Sequence, residues 1–366
     1  MATLAEPRTA FTRLPHPAPM AAADRAVVLA DPGFGKVFTD HMVSIDWSEE
    51  KGWHNPTTGP LQAIPLHPAA AVLHYAQEIF EGLKAYRLAD GSMALFRPEA
   101  NAARFNASAR RLAMPEMPEA LFVQACEELV NVDRDWFPSV DGGALYLRPF
   151  MFATEAFLGV RPAKSYKFLV IASPAGNYFK SGAPAVSIWV SDYTRAAPGG
   201  TGAAKCGGNY AASLVPQAEA MALGHDQVVF LDAAEHKWIE ELGGMNLYFV
   251  FDDGSLLTPA LNGSILPGIT RESLLTLARE EGLTVSEGRY SLDQWRADAA
   301  SGKLVEVFAC GTAAVVTAVG RVAGRDGEFT IGSGGPGQLT QKLKNQLVAI
   351  QRGHTADTHG WVHRLA

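Results

Sequence analysis

Lys205 sits in Gly199-Gly-Thr-Gly-Ala-Ala-Lys-Cys-Gly-Gly-Asn-Tyr210, among small residues, with no other charge between Arg195 and Glu219. Lysines usually decorate polar surfaces. Here the small neighbours would let a planar ring lie against the backbone, and desolvation would lower the amine's pKa toward the range useful for covalent chemistry. The ordinary alternative is a lysine in a mobile glycine loop, so these residues alone make Lys205 a candidate Schiff-base amine. Two segments could cradle a phosphate. Leu266-Pro-Gly-Ile-Thr-Arg271 leads into a helix with Thr270 as its expected N-cap, which offers free N–H groups and the positive end of a helix dipole. Cys310-Gly-Thr-Ala-Ala314 ends an apolar strand in a tight turn with a hydroxyl and exposed N–H groups. Glu240 and Glu241 close another strand ahead of Gly243-Gly244. Either could be a solvated turn carboxylate, or the anion that keeps a pyridine nitrogen protonated, as an electron sink requires.

Other patterns carry less. Gly332-Ser-Gly-Gly-Pro-Gly337 matches the glycine spacing of a dinucleotide loop, but the residues before it read as a surface-like hairpin, Pro336 stiffens it and no strand follows the next helix to complete a βαβ unit. His354, His359 and His363 near the C-terminus have only Asp357 beside them, so they are expected to be surface histidines rather than metal ligands. No metal site is expected, and no Gly-x-Ser-x-Gly elbow offers a serine nucleophile.

The elements that must position these residues read as two α+β domains. Strands are expected at 42–47, 78–86 and 93–96, the last two joined across Ala89-Asp90-Gly91, a hairpin signal. Helices follow at 98–112, opened by Pro98, and at 119–132. Apolar runs at 144–152 and 166–172 have the composition of buried strands. Pro, Gly, Ser and Asn dominate 173–184, the expected interdomain linker. Beyond it come strands at 186–192, 227–232, 237–241, 245–251, 305–310 and 315–322, and helices at 211–223, 271–281, 292–301 and 339–351. Leu214, Val215, Ala218, Met221 and Ala222 form one apolar face of the first of these helices. The organisation expected is a loose leader at 1–32, a small domain at 33–172, the linker, and a large domain at 185–366 carrying Lys205.

Composition narrows the class. At 366 residues, with 48% hydrophobic and 19% charged residues, the chain buries a large core and needs no disulfide staple. Three cysteines without a CxxC pair fit a reducing, cytoplasmic setting. A net charge of −7 gives no basic footprint for nucleic acid. The uncharged run at 307–320 is broken by glycines and threonines and falls short of the roughly 20 apolar residues a spanning helix needs, so no membrane association is expected.

Seven blocks in one order then carry a resemblance: FGKVFTDHM (34–42), LHYAQEIFEGLKAY (73–86), LYLRPF (145–150), AAKCGGNYAASL (203–214), EELGGMN (240–246), LPGITRESLL (266–275) and FACGTAA (308–314). The chain resembles branched-chain-amino-acid aminotransferases, pyridoxal-phosphate enzymes of fold type IV, from about residue 33 to residue 360, and is most similar to actinobacterial-like members. The resemblance implies a two-domain α+β architecture like that of D-amino-acid aminotransferase, a pyridoxal 5'-phosphate cofactor and a homodimer.

It also implies roles. Lys205 matches the lysine that bonds the cofactor and shuttles the α-proton, and Glu241 the carboxylate on the pyridine nitrogen. Tyr210 matches the phenol near the cofactor's O3′. Arg104 matches the guanidinium on the phosphate, where residues alone suggest a solvent-facing helix arginine. Ile269, Thr270 and Thr312 match further phosphate contacts. Phe34, Tyr75, Phe80 and Tyr178 match aromatic walls of an apolar substrate pocket. Tyr146 and Arg148 match the pair associated with glutamate's distal carboxylate, while Ala313 and Ala314 belong to the turn that offers N–H groups to the α-carboxylate. Mammalian members carry a redox CxxC where this chain has Ala314 and Thr317, and Gly244 replaces a hydroxyl residue of some members.

The implied reaction is reversible amino transfer from L-leucine, L-isoleucine or L-valine to 2-oxoglutarate, by ping-pong half-reactions. A D-amino-acid aminotransferase or aminodeoxychorismate lyase on the same fold is the first rival, disfavoured by the EGLKAY and LYLRPF blocks. A catalytically inactive binding homologue is the second.

Overall fold

The computed structural model describes residues 8–140, 142–176 and 185–365. Tyr178 and residues 177–184 of the expected linker lie outside the described residues. The chain divides into two units: described residues up to Gly176 together with 351–365, and those from Ala185 to Ile350.

The first unit holds strands β1 (Thr12–Arg13), β2 (His41–Ser48), β3 (Gly52–Pro60), β4 (Glu78–Phe80), β5 (Leu83–Arg87), β6 (Met93–Phe96), β7 (Ala144–Ala153) and β8 (Ser165–Ala175). Its helices are α1 (Ala22–Ala30), α2 (Ala71–Tyr75), α3 (Pro98–Arg111) and α4 (Glu119–Val132). One sheet runs β1-β3-β2-β8-β7-β5-β6 and ends on the C-terminal strand Val362–Arg364, with β4 also on β7. Phe105 of α3, Phe122 of α4 and Phe168 of β8 meet at centroid distances of 5.3–5.9 Å, each about 1% exposed or less. Burying each ring is worth roughly 1.5–3 kcal/mol, which fixes both helices on the sheet.

The single strand expected at 78–86 is two. Glu81 donates its N–H to the carbonyl of Pro149 at 2.7 Å, but Pro149 has no N–H to return. The ladder breaks at Glu81–Gly82, between pairs Phe80↔Phe150 and Leu83↔Leu147. β8 continues through Ala175, so the first residues of the expected linker belong to the sheet.

Both chain ends depart from expectation. The leader is not loose over its described residues: β1 pairs in parallel with Thr57 and Thr58 of β3, Thr9 donates its N–H to Gln124, and Arg25 lies 5.9 Å from the Trp136 ring. An edge strand with unpaired backbone groups accepts such a partner readily. Residues 351–365 join the first unit rather than the expected large domain, because Val362–Arg364 extends the sheet antiparallel to β6. His363 is not a free surface histidine. Its ring nitrogens lie 2.7 Å from Glu99 and 2.7 Å from Glu127, which hold its pKa up at about 9. His359 stacks on Trp361 at 4.0 Å.

A raised histidine pKa stabilises the fold fully below the ordinary imidazole value, and that contribution is lost as pH rises through about 9. His363→Ala should therefore lower Tm at pH 6, with the gap to wild type closing by pH 10. A constant gap in thermal melts across that range would contradict the ion-pair account.

The second unit holds β9 (Ala185–Val190), β10 (Gln227–Leu231), β11 (Ile239–Leu242), β12 (Met245–Phe251), β13 (Leu256–Pro259), β14 (Val285–Gly288), β15 (Leu304–Gly311), β16 (Val315–Gly324) and β17 (Gly327–Thr330). Its helices are α5 (Gly207–Ala211), α6 (Leu214–Ala222), α7 (Ile269–Glu280), α8 (Leu292–Ser301) and α9 (Gln338–Gln351). The sheet runs β11-β10-β9-β16-β15-β12, and β12 pairs again with β11, so these strands close a barrel. Ile188, Val229, Ile239, Leu247, Phe249, Val307 and Val319 belong to one buried cluster, which Tyr290 and Trp295 extend. Ser291 caps α8 by accepting from the N–H of Gln294.

The apolar face expected on the helix at 211–223 does not enter this core. Leu214, Val215 and Met221 are 69%, 55% and 66% exposed, and α6 buries Pro216 and Ala220 instead. Periodicity reports that a face exists, not what covers it. The loop at Gly332–Gly337 follows β17, which is antiparallel to β16, so no βαβ unit surrounds it. Among the described residues no helix is long and apolar enough to cross a membrane.

Candidate active site

Lys205 is held by its loop rather than carried on a mobile one. Asn209 donates to the carbonyls of Thr201 (2.8 Å) and Ala204 (2.9 Å) and accepts from the Thr201 hydroxyl (2.8 Å). At Gly202 a Cβ would come within 2.3 Å of the Ser264 carbonyl oxygen, so only glycine lets the loop lie this close to its neighbour. α5 begins just after Lys205 and presents Tyr210, whose hydroxyl accepts from Lys205 Nζ at 2.9 Å.

Strand alternation turns the two carboxylates to opposite faces. Glu240 accepts from Asn262 Nδ2 (2.8 Å) and from the Ser264 hydroxyl, and so fastens the 262–264 turn. Glu241, 2% exposed, accepts the N–H of Leu266 on Oε1. Its Oε2 lies 2.7 Å from Nη1 of the equally buried Arg195. That approach is an ion pair without an aligned hydrogen bond, and Oε2 accepts none among the described residues. Burial pushes the Glu241 carboxyl up, while Arg195, the Leu266 N–H and Lys205 pull the other way.

α7 starts at Ile269 with Gly268 as N-cap, so Thr270 is its second residue and not the expected cap. Gly268 is required by packing: a Cβ there would sit 2.0 Å from Asn246 Oδ1. The N–H groups of Ile269 and Thr270 fall in the first turn, where no helix carbonyl precedes them. Thr312, Ala313 and Ala314 form the turn between β15 and β16. Val315 closes it at φ +62°, a left-handed conformation that a β-branched residue adopts only under constraint.

The first unit gathers a second set of expected residues. Arg104 is not solvent-facing. Its side chain is 9% exposed, and Nε and Nη2 donate to Glu81 at 2.7 and 2.8 Å, a fork-to-carboxylate pair. Tyr146 and Arg148 share a face of β7 with Phe150, as their spacing requires. Phe34 meets Tyr146 edge-on at 5.0 Å, and the Arg148 guanidinium lies 4.8 Å from the Phe80 ring. Gly82 makes room for this group, since a Cβ there would reach the Tyr146 hydroxyl at 2.1 Å. Arg148 Nε is buried without a hydrogen-bond partner among the described residues. Tyr75 ends α2, is 40% exposed, and donates to the carbonyl of Leu158.

Sequence reasoning passed over Arg195, Glu81 and Asn209. Arg195 had one visible signal, a lone charge at the head of an uncharged alanine- and glycine-rich stretch. Cys126, Cys206 and Cys310 are all buried and free. Among the described residues no group of His, Cys, Asp and Glu is arranged to hold a metal ion.

Comparison with known proteins decides the family. Residues 78–322 match the model of amino-transferase class IV. The branched-chain-amino-acid aminotransferase of Mycolicibacterium smegmatis is 58% identical over 97% of this chain and 98% of its own length. This chain belongs to the class IV aminotransferases, in their branched-chain-amino-acid aminotransferase branch. A probable branched-chain-amino-acid aminotransferase of Streptomyces coelicolor is 59% identical over 96% of the chain and 98% of its own length. Among solved structures, the branched-chain amino acid aminotransferase of Escherichia coli superimposes with a TM-score of 0.72 at 30% identity, covering 88% of this chain and 99% of the other. The T.th. branched-chain amino acid aminotransferase complexed with N-(5'-phosphopyridoxyl)-L-glutamate gives 0.71 at 29%, with 88% and 99% covered. The fold is thus that of fold type IV.

Proposed function

We propose that this aminotransferase moves the amino group of L-leucine, L-isoleucine or L-valine to 2-oxoglutarate, with pyridoxal 5'-phosphate as cofactor. One observation carries the reading: in the second unit, a lysine, a phenol and a buried carboxylate with an open oxygen lie on adjoining segments. The residues fit the cofactor. Glu241 Oε2 is a buried acceptor with no aligned donor among the described residues, and a protonated ring nitrogen would be such a donor. The first turn of α7, Thr312 and Arg104 supply N–H, hydroxyl and guanidinium donors of the kind a phosphate takes. When bound, the cofactor supplies the electron sink.

The chain's own residues do the rest. Lys205 Nζ would bond the cofactor and carry the proton taken from the substrate's α-carbon. Tyr210, 2.9 Å from that amine, orients it. Glu241 holds a proton on the ring nitrogen. Ile269, Thr270 and Thr312 would bind the phosphate, a role the family resemblance also gives to Arg104. Ala313 and Ala314 would present turn N–H groups to the α-carboxylate, and Phe34, Tyr75 and Phe80 would wall the apolar side chain.

Arg148 lets one pocket take both leucine and glutamate. A buried carboxylate needs a cation, and Arg148, whose Nε has no hydrogen-bond partner among the described residues, holds its guanidinium 4.8 Å from the Phe80 ring. Arg148→Met should cost about 1.5–3 kcal/mol, or roughly ten- to a hundredfold in kcat/KM of the glutamate and 2-oxoglutarate half-reaction. The leucine half-reaction should change far less. Equal losses in single-turnover rates for both substrates would make Arg148 a supporting residue of β7.

We also read the protein as a cytoplasmic homodimer. Leu158, whose carbonyl accepts from Tyr75, and Val160 are 70% and 90% exposed, apolar surface that a second copy would cover. The free cysteines suit a reducing compartment. A steady-state panel of L- and D-enantiomers of the branched-chain amino acids against 2-oxoglutarate tests the reading. Turnover confined to the L-enantiomers is expected, and turnover of the D-enantiomers alone would move the chain to the other branch of the fold.

A further inference from the structure

Arg195 precedes the Lys205 segment and is 7% exposed, a costly place for a cation unless it is paired. Its partner is Glu241, at 2.7 Å, and its guanidinium also lies 5.6 Å from the centre of the Tyr210 ring. We propose that Arg195 is a positioning residue that keeps the Glu241 carboxylate ionised and aimed at the ring nitrogen of pyridoxal phosphate, without itself occupying the oxygen that nitrogen needs. This rests on the cofactor reading above.

The geometry separates charge from hydrogen bonding. Nη1 approaches Oε2 closely enough for strong attraction but out of line for a hydrogen bond, so the oxygen's lone pair stays open. Oε1, in contrast, is committed to the Leu266 N–H, which fixes the plane of the carboxylate. Arg104 and Glu81, by contrast, meet in an aligned fork-to-carboxylate pair that occupies both carboxylate oxygens. Arg195 Nε has no hydrogen-bond partner among the described residues, so nothing there draws the guanidinium away from Glu241 and Tyr210.

The charged and titratable groups acting on Glu241 are Arg195, Lys205 and Glu240, with Tyr210 bonded to Lys205. Glu240 opposes ionisation, and burial opposes it more. Arg195 is the largest influence in favour, and an arginine stays charged across the working pH range.

The test uses the full chain, with and without cofactor, as wild type, Arg195→Met, Arg195→Lys, Glu241→Gln and the double variant Arg195→Met/Glu241→Gln. A carboxyl raised by burial stabilises the fold below its ordinary value, and that contribution is lost as pH rises through its folded value. Removing Arg195 moves the folded value further up. In cofactor-free protein the Tm deficit of Arg195→Met should therefore grow between pH 5 and pH 8, by roughly 2–4 °C or more. In the Glu241→Gln background that growth should vanish. With cofactor, Arg195→Met and Glu241→Gln should shift the pH profile of the visible absorbance in the same direction, the double variant should shift it no further, and Arg195→Lys should largely restore it.

A deficit independent of pH, one that persists in the Glu241→Gln background, or an unchanged absorbance profile would overturn the proposal and leave Arg195 as a support of the fold. If Arg195→Met does not fold, the double variant and Arg195→Lys decide the question through the same profiles. A wild type that shows no visible band on loading would instead overturn the cofactor reading, whatever the cofactor-free melts show.

Discussion

Lys205→Ala is expected to abolish turnover while leaving the fold and some cofactor binding in place. Loss of a positioned general base alone costs roughly 10²–10⁴-fold, and loss of the covalent bond to the cofactor adds to that. Lys205 donates to Tyr210, but the loop is not built on that contact. Asn209 ties the loop through the backbone of Thr201 and Ala204, and Gly202 sets its approach to Ser264. Thermal melts should stay within about 1–2 °C of wild type, in keeping with a substitution outside the packed core. The phosphate contacts proposed for α7 and the Thr312 turn should still retain cofactor at raised concentration. Turnover within tenfold of wild type would show that another amine does the chemistry.

Glu241→Gln is the second large effect. The amide keeps the shape and still accepts from the Leu266 N–H, but removes the negative charge that faces Arg195. Stripping one partner from a buried ionic pair costs about 3–5 kcal/mol, roughly two to four orders of magnitude if it all falls on rate. The loss should appear in the step that takes the α-proton, and so in a larger primary isotope effect with α-deuterated leucine. Glu240→Gln should instead loosen the 262–264 turn with a much smaller loss of rate, because Glu240 is spent on Asn262 and Ser264. The opposite ranking of the two variants would show that the strand presents the other carboxylate to the chemistry.

The parts of the fold legible in the sequence were those that local chemistry dictates. Pro98 opened α3, Asp90-Gly91 turned the hairpin of β5 and β6, and apolar runs became β7, β8 and β12. What escaped depended on partners distant in the chain. β3 is rich in Gly, Pro, Thr and Asn and has no apolar pattern, yet β1 and β2 pair with it on both sides. The C-terminal strand was invisible because its edge partner β6 lies far earlier in the chain. The break at Glu81–Gly82 follows from a proline in another strand, which no local window contains.

The same division holds at the site. The setting of Lys205 could be read from its small, uncharged neighbours. The different partners of Glu240 and Glu241 depend on the strand's facing, and Arg104's burial on Glu81 being brought beside it. Arg195 could not be assigned from its own neighbourhood in the chain, because what gives it meaning is a carboxylate on β11.

The central claim is that Lys205 is the amine that bonds pyridoxal phosphate. Loading the purified chain with pyridoxal phosphate, reducing it with borohydride and mapping the peptides by mass spectrometry tests that claim most directly. A single pyridoxyl adduct on the peptide containing Lys205, formed in the wild type and absent from Lys205→Ala, is the expected result. An adduct on a different lysine, or none in a protein that still transaminates leucine, would contradict it.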